Sequence, residues 1–512
     1  MKPQVLIVGA GPTGLVLALW LARLRVPFRI VEKNSGAGQA SRAMVVQART
    51  LEFYRQLGFA DEVVRGGIKI CKLHLREDSR EIAGFEFEDL GEGLSPYPFV
   101  LSFPQDDHER LLGEKLKAAG IEIEWNTELG SFADGGDHVR VILRKNGAEE
   151  TRQFAYLCGC DGARSAVREG LKLNFPGGIY QQMFYVADLE ATGNAVNGDI
   201  NLCLGADEFG AAFPIRSSGM LRLIGVVPEE LTGRANISFE DIRPRAEKLI
   251  DVQVQKANWF STYHVHHRVS EHFRVGRVFV AGDAGHLHSP AGGQGMNTGI
   301  GDAVNLSWKL AAVLKGQADP NILDTYETER IAFARSLVST TDKLFQAAVG
   351  RSIGSSVFRT LLFPHLLPFM LGFAAVRRAQ FHLISQTRIN YRDSALSDGR
   401  VGHVHGGDRL PWVEGGNGGN YEPLQSVDWQ IHVYGEAAPP LRDAAGRLNL
   451  ALHSFAWSDQ ALKAGFRRDA LYLVRPDGYV ALANREQDVV RLQRMLFRFR
   501  IAPLNNVPLP VG

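Results

Sequence analysis

Three glycines at fixed spacing mark the first place where this chain could do chemistry. "VLIVGAGPTG" sets Gly9-x-Gly11-x-x-Gly14 straight after an apolar run and ahead of a helical one. Gly9 permits a tight turn, Gly11 lets a pyrophosphate approach the backbone, and Gly14 allows close helix–strand packing. The helix N-terminus behind them offers N–H groups and the positive end of a dipole to a phosphate. Glu32 closes the next apolar run, where a carboxylate can accept from ribose hydroxyls. Arg42 follows and could neutralise a diphosphate. This unit alone does not separate NAD from FAD. No second glycine set follows a strand, and the Cys-x4-Cys of a disulfide reductase is missing.

Two further stretches are poor in side chain. "GDAGHLHSPAGGQGMN" (282–297) lies between the apolar run VFVA and a long helical pattern, and "YLCGCDGARSAVRE" (156–169) puts Asp161-Gly162 between a strand and a helix. The histidines invite a metal: alternation puts His264 and His266 on one strand face, and His267, His272, His286 and His288 are near in sequence. No carboxylate or cysteine completes a set at a recognisable spacing, and Cys158-x-Cys160 is too short for a zinc or redox pair, so no metal is expected.

The elements that must position these groups read as an α/β chain. Residues 4–8, 13–24 and 28–32 form a βαβ unit. Residues 107–119 form an amphipathic helix before a strand IEIEW, and 138–158 a hairpin and a strand. From about 177 to 275 short alternating segments predict an antiparallel sheet inserted in the first domain. Residues 296–314 return to helix, with Met296, Ile300, Ala303, Val304, Ala311 and Leu314 on one face. The apolar stretch 360–376 carries Pro364 and Pro368 and reads as a kinked buried helix pair, not a membrane span. Residues 398–419 read as a glycine-rich linker, and LYLV-RPDG-YVALA as two strands of a last α/β domain.

Composition agrees with a globular protein of several domains. The chain has 512 residues, with 57 Lys+Arg against 56 Asp+Glu, so nothing calls for nucleic acid or an anionic membrane. The basic "RLQRMLFRFR" near the end reads as a solvated helix face. Four cysteines in this length are no disulfide framework, which points to a reduced, cytoplasmic setting.

Taken together, GxGxxG, Asp161-Gly162 and Gly282-Asp283 in this order resemble the single-component FAD-dependent aromatic hydroxylases, the p-hydroxybenzoate and phenol hydroxylase group. The likeness runs over about the first 345 residues. The tail resembles the phenol and polyketide hydroxylase branch, whose C-terminal domain is thioredoxin-like; here it holds no cysteine. The resemblance implies a Rossmann-type FAD-binding domain (1–70, 100–176, 275–345), a substrate-binding β-sheet domain (71–99, 177–274), a helical connector (346–395) and a thioredoxin-like domain (396–512).

It also implies roles. Gly9, Gly11, Pro12, Thr13 and Gly14 would meet the FAD pyrophosphate, Glu32 and Lys33 the ribose region, and Arg42 the pyrophosphate or ribose. Gln105 would contact the FAD linker, Leu129 the adenine, and Asp161 with Gly162 both FAD and NAD(P)H. Asp283 would bind the ribityl chain, Pro290 would lie near the reactive flavin nitrogen, and Gly295, Met296 and Asn297 would offer backbone N–H groups to the pyrimidine edge. FAD would be reduced by NAD(P)H, NADPH favoured, and a flavin C4a-hydroperoxide would hydroxylate a phenolic or polycyclic aromatic compound. The same fold admits epoxidation, Baeyer–Villiger insertion, antibiotic inactivation or flavin binding without oxygenation. No side chain declares itself as catalytic acid or base. Arg222 could sit near the flavin, and Phe184, Tyr185 and Phe213 could wall the substrate pocket. A monomer or homodimer is expected, with O2 and a small aromatic molecule as the partners.

Overall fold

The structure is a computed structural model that describes residues 3–38, 43–77, 80–87, 90–204, 209–216, 219–234, 236–289, 293–349, 378–379, 381–382 and 384–504. Its centre is a five-stranded sheet. Val278–Val280, Tyr156–Gly159, Val5–Val8 and Phe28–Val31 run parallel in that order, and Arg274–Val275 closes one edge antiparallel. The glycine loop, the Asp161 turn and the Gly282 turn each leave the same end of these strands, because parallel strands present their C-terminal ends together. IEIEW forms no regular strand; within it only Glu124 bridges to Val31.

The helix Gly295–Leu314 overturns its amphipathic reading. It is buried all round, Asp302, Ser307 and Lys309 included. One side packs on the helix Pro12–Arg23. The other is covered by the C-terminal part of the chain, which carries polar partners for the helix: Asp477 Oδ2 accepts from Trp308 Nε1 at 3.0 Å.

A second, eight-stranded sheet runs in the order His286–Leu287, Val252–Val269, Gly177–Gly193, Met220–Val226, Phe209–Pro214, Ile200–Leu204, Lys72–Glu77, Arg80–Glu86. All neighbours are antiparallel except Ile200–Leu204 against Lys72–Glu77. Its two faces differ. The helix Phe239–Ile250 covers one, over Tyr185, Ala187, Leu189, Leu221 and Leu223. The other turns to the five-stranded half: Ser102 Oγ donates to Pro214 O at 2.7 Å, and Phe213 packs into the main core.

At the C-terminus, Ala451–Phe455, Gln430–Tyr434, Leu471–Val474 and Val480–Asn484 form a four-stranded sheet in that order, parallel only between the first two. The helix Pro439–Arg447 connects the parallel pair. The supposed linker is packed chain instead: Val404, Leu410 and Val413 are buried, and Gly407 lies so close to Tyr391 that a Cβ would come within 2.4 Å of its carbonyl carbon. The apolar stretch 360–376 lies outside the described residues. No helix among the described residues is long and apolar enough to cross a membrane.

Candidate cofactor and substrate site

The three glycine-rich turns meet. Gly9 has φ +103°, open to glycine alone at low cost, and a Cβ there would lie 2.3 Å from Cys160 O. A Cβ on Gly14 would lie 2.0 Å from Gly9 O. Thr13 fills the gap between the other turns: a Cβ on Gly282 or Gly299 would strike its Oγ1 at 2.4 or 2.3 Å. Gly11 is different. A Cβ there would meet nothing within 4 Å, so the backbone faces open space. Pro12 starts the first helix, whose N-cap Gly11 supplies no side-chain bond. Gln294, at the start of the second helix, does not cap it either. Two helix starts without side-chain caps therefore lie on helices packed together through Thr13 and Gly299, an arrangement suited to an anionic ligand.

Around this space the other sequence-derived residues fall as follows. Glu32 accepts from Ala10 N–H at 3.0 Å and from the Asn34 side chain at 2.7 Å, which fixes its carboxylate at the strand end, with exposed Lys33 beside it. Gln105 opens a helix, and its Nε2 donates to Glu109 Oε1 at 2.7 Å. Burial pushes the Glu109 carboxyl up. Leu129 is buried at a bulge in the strand Thr127–Asp134. Asp283 is exposed in the Gly282 turn. Arg42 and Pro290 lie outside the described residues.

Asp161 is engaged as scaffold. Its carboxylate accepts from Ser165 Oγ at 2.6 Å and from Val167 N–H at 3.1 Å, so it caps the short helix Ala166–Gly170. Burial raises its pKa against those bonds. Gly162 beside it has φ +78° and open space where a Cβ would stand.

Asn297 is a clamp. Its Oδ1 accepts from Gln47 N–H at 3.0 Å and Thr50 Oγ1 at 2.7 Å; its Nδ2 donates to Val45 O and Gly293 O, both at 2.8 Å. That uses the full capacity of an amide. Met296 turns its sulfur inward, 3.4 Å from His108 Nδ1, while Tyr54 OH lies 2.7 Å from Nε2. Burial pushes the His108 imidazole down to about 3, so it stays neutral. At Gly295 the ring of His288 lies 3.6 Å from where a Cβ would be. His288 Nδ1 must donate to Ser289 O at 2.8 Å, which leaves Nε2 an acceptor; it is buried and has no partner among the described residues. An open Gly11, helix starts without side-chain caps and this orphaned acceptor fit a site that holds FAD.

The substrate-side residues separate. Tyr185 does not line the shared cleft: its ring lies over Gly225 and near Phe260, on the face under the helix Phe239–Ile250. Strand alternation puts Phe184 on the opposite face, fully buried beside Tyr263, and Phe213 is paired with Arg222 on that face too. Arg222 is no solvent-facing arginine. It is 1% exposed and grips Asp188 in a fork, Nε to Oδ1 at 2.6 Å and Nη2 to Oδ2 at 2.7 Å, while Nη1 reaches Ala43 O at 3.4 Å. Arg216 joins this cluster, bonding Asp188, Asp106 and Asp107 at the start of the Gln105 helix.

Three of the other histidines make scaffold contacts. His286 Nε2 donates to Asp302 at 2.7 Å, His272 lies 3.0 Å from Glu327, and His267 packs its ring against Tyr180. His264 and His266 share a strand opposite Met183 and Ile179. Among the described residues no three His, Cys, Asp or Glu side chains gather as metal ligands. Sequence reading missed Asp302 and Arg330, a buried pair at 2.6 Å behind the Gly282 turn. Its one visible signal was a carboxylate set among the apolar positions of the 296–314 pattern.

The family described as FAD binding domain matches residues 2–341. The chain is 32% identical to the 6-methylpretetramide 4-monooxygenase of Streptomyces rimosus, across 99% of this chain and 95% of the relative. The chain belongs to this family. It is 31% identical to the pentachlorophenol 4-monooxygenase of Sphingobium chlorophenolicum over 80% of its length and 76% of the relative's. The OxyS anhydrotetracycline hydroxylase of Streptomyces rimosus superposes with a TM-score of 0.79 at 27% identity, covering 98% of this chain and all of that one. The resemblance to FAD-dependent aromatic hydroxylases, first carried by three motifs, thus extends over the whole chain.

Proposed function

We propose that this flavin-dependent monooxygenase takes NADPH as its reductant and hydroxylates a phenolic or polycyclic aromatic compound held between the Arg222-bearing sheet face and the Gly295–Leu314 helix start. One observation supports the reading: Gly9 abuts Cys160 and Asp161 while Thr13 abuts Gly282, so the three motifs lie against one another. Bound FAD would supply the redox chemistry, passing electrons from the nicotinamide to O2 and one oxygen to the ring, the other leaving as water.

The chain's residues do the rest. Gly11, Pro12, Thr13 and the first helix start would take the pyrophosphate. Glu32 and Lys33 would meet the ribose region, and Gln105 with Leu129 the linker and adenine. Asp283 would take the ribityl hydroxyls. The backbone amides of Gly295, Met296 and Asn297 would face the pyrimidine edge and favour negative charge there by about 0.5–2 kcal/mol. His288 Nε2 would accept a hydrogen bond from the bound ligand. Phe213 and the apolar sheet face would exclude water from the reacting oxygen. The Asp188–Arg222 fork holds that wall at a fixed distance from Ala43 and keeps the arginine's charge balanced. We read the C-terminal sheet as a thioredoxin-like structural lobe without cysteines, a reading supported by its one parallel pair joined through the helix Pro439–Arg447 and its two antiparallel neighbours.

A substrate screen following NADPH oxidation, with product mass and connectivity, tests this reading. Oxidation that rises only with an aromatic compound and yields a product one oxygen heavier is expected. Purified protein that is colourless and takes up no FAD would end it.

A further inference from the structure

The family match ends at residue 341, yet one side chain well beyond it reaches the first turn of the helix Gly295–Leu314 and a second reaches Arg330, which bonds that turn. Gln386 Nε2 donates to Gln294 Oε1 at 2.8 Å and to Thr298 Oγ1 at 2.9 Å. Its backbone sits at φ +58°, a left-handed conformation that costs a non-glycine residue about 1 kcal/mol or more unless its surroundings hold it there. Five residues on, Tyr391 OH accepts from Arg330 Nη1 at 2.8 Å.

Arg330 carries that contact forward. Its Nη2 donates to Thr298 O at 3.0 Å and its Nε to Asp302 Oδ1 at 2.6 Å. Asp302 Oδ2 then accepts from the amide of Gly282 at 2.9 Å and from His286 Nε2 at 2.7 Å. Two buried side chains therefore connect Tyr391 to the amide next to Asp283. The path is built: a Cβ on Gly301 would stand 3.1 Å from Arg330 Nη2. Tyr391 is itself fixed, its N–H bonded to Gly407 O at 2.7 Å and its ring 4.4 Å from that of Tyr479 in the C-terminal lobe. Gln386 and Tyr391 thus converge on Thr298, one through its hydroxyl and the other, through Arg330, to its carbonyl.

We propose that Gln386 and Tyr391 are positioning residues for the cofactor, fixing from outside the family's own segment the helix start and the Gly282–Asp283 turn that hold FAD. This rests on the reading that those two features face FAD. An amide or carboxylate aimed at a ligand is worth most when it need not reorganise on binding, and supporting hydrogen bonds provide that. The C-terminal lobe then has a task that needs no thiol: through Gly407 and Tyr479 it holds Tyr391 against the back of the cofactor site.

The test compares holoenzymes of wild type, Q386A, Y391F and R491A. R491A breaks the Arg491–Asp398 pair on the lobe's last helix, outside this chain of bonds. The rate at which FAD leaves each protein is followed by the return of its fluorescence on dilution, beside the visible spectrum of the bound flavin and the melting temperature. Q386A and Y391F are expected to release FAD about fivefold faster or more, as loss of one buried hydrogen bond in a binding wall implies, with a shifted bound-flavin spectrum. R491A is expected to match wild type in both. Release within twofold of wild type in Q386A and Y391F overturns the proposal, and so does equal acceleration in R491A. Should Y391F not fold, Q386A decides alone. A wild-type protein that takes up no FAD rejects the functional reading itself, an outcome distinct from normal uptake with unaffected variants.

Discussion

Two helices begin at the same cleft, and they are held there by opposite means. Pro12–Arg23 is held by contact. Its glycines bring backbone against backbone, with no side chain between Gly14 and Gly9 or between Gly9 and Cys160. Gly295–Leu314 is held by side chains from far along the chain: Asn297 ties it to Val45, Gln47 and Thr50, and Arg330 ties it to Tyr391. The first device is local and tolerates no added atom at Gly9 or Gly14. The second is distributed and can lose a bond without losing the fold. Substitutions in the first should therefore act all or none, and those in the second by degrees.

The largest expected effect is in the first helix. G14A puts a Cβ into the Gly9 carbonyl, which is backbone and cannot turn aside, so soluble protein and FAD content should both collapse. G11A has space for its methyl and should fold with normal circular dichroism, yet purify without flavin. Equal behaviour of the two would refute the division between packing glycine and ligand glycine.

Next comes the second helix. N297A removes four hydrogen bonds to the 45–50 segment and the Gly293 turn and should cost about 2–4 kcal/mol, read by denaturant unfolding, with FAD bound more weakly but still bound. An N297A protein as flavin-free as G11A would mean that the distributed brace is as brittle as the glycine loop.

The helix Ala48–Leu57, which Asn297 grips at Thr50, carries a pH signature that the glycine loop lacks. Glu52 accepts a fork from Arg409 of the C-terminal part, Oε1 at 2.7 Å and Oε2 at 2.9 Å. Burial would raise its carboxyl, but Arg409 and Arg49 outweigh burial and hold it at about 2. An acid with a depressed folded pKa adds stability that is complete above its unfolded value and fades as pH falls towards the folded one. Wild type should therefore lose stability between about pH 4.5 and pH 2, and E52Q, about 3–5 kcal/mol weaker at neutral pH, should lose less over that window. Parallel acid profiles for the two would remove Glu52 from the account.

The smallest expected effect concerns the sheet. F213A, on the face turned to the cleft, should raise the KM for the aromatic substrate several-fold with little change in FAD release, while Y185F, on the covered face, should leave both within about twofold. A larger KM change in Y185F would place the pocket on the wrong face.

This division also accounts for what could be read from the chain alone. GxGxxG, Asp161-Gly162 and Gly282-Asp283 are local patterns, each demanded by a turn that no other residue makes, so the cofactor fold was legible from them. The family resemblance then carried the activity. What stayed hidden was contact between distant side chains. Nothing near Arg222 in the sequence announces Asp188. Nothing near Gln386 announces Gln294. The one-sided reading of residues 296–314 failed because apolar periodicity registers water on the other face, and that face is covered by chain that follows much later. Tyr185 and Phe184 were indistinguishable as aromatic strand residues until the covering helix Phe239–Ile250 told the two faces apart.

The distance in sequence between the glycine loop and its counterpart's supports also orders events in time. On a ribosome adding about 5–20 residues per second, the whole of the matched segment 2–341 emerges before Tyr391, and Arg475, which bonds Glu329 beside Arg330 at 2.8 Å, emerges later still. For on the order of ten seconds the nascent chain carries a finished glycine loop and a helix start tied by Asn297 but not yet by Gln386, with Glu329 still waiting for Arg475 and Arg330 for Tyr391. The cofactor pocket of this protein closes from behind, and it closes last.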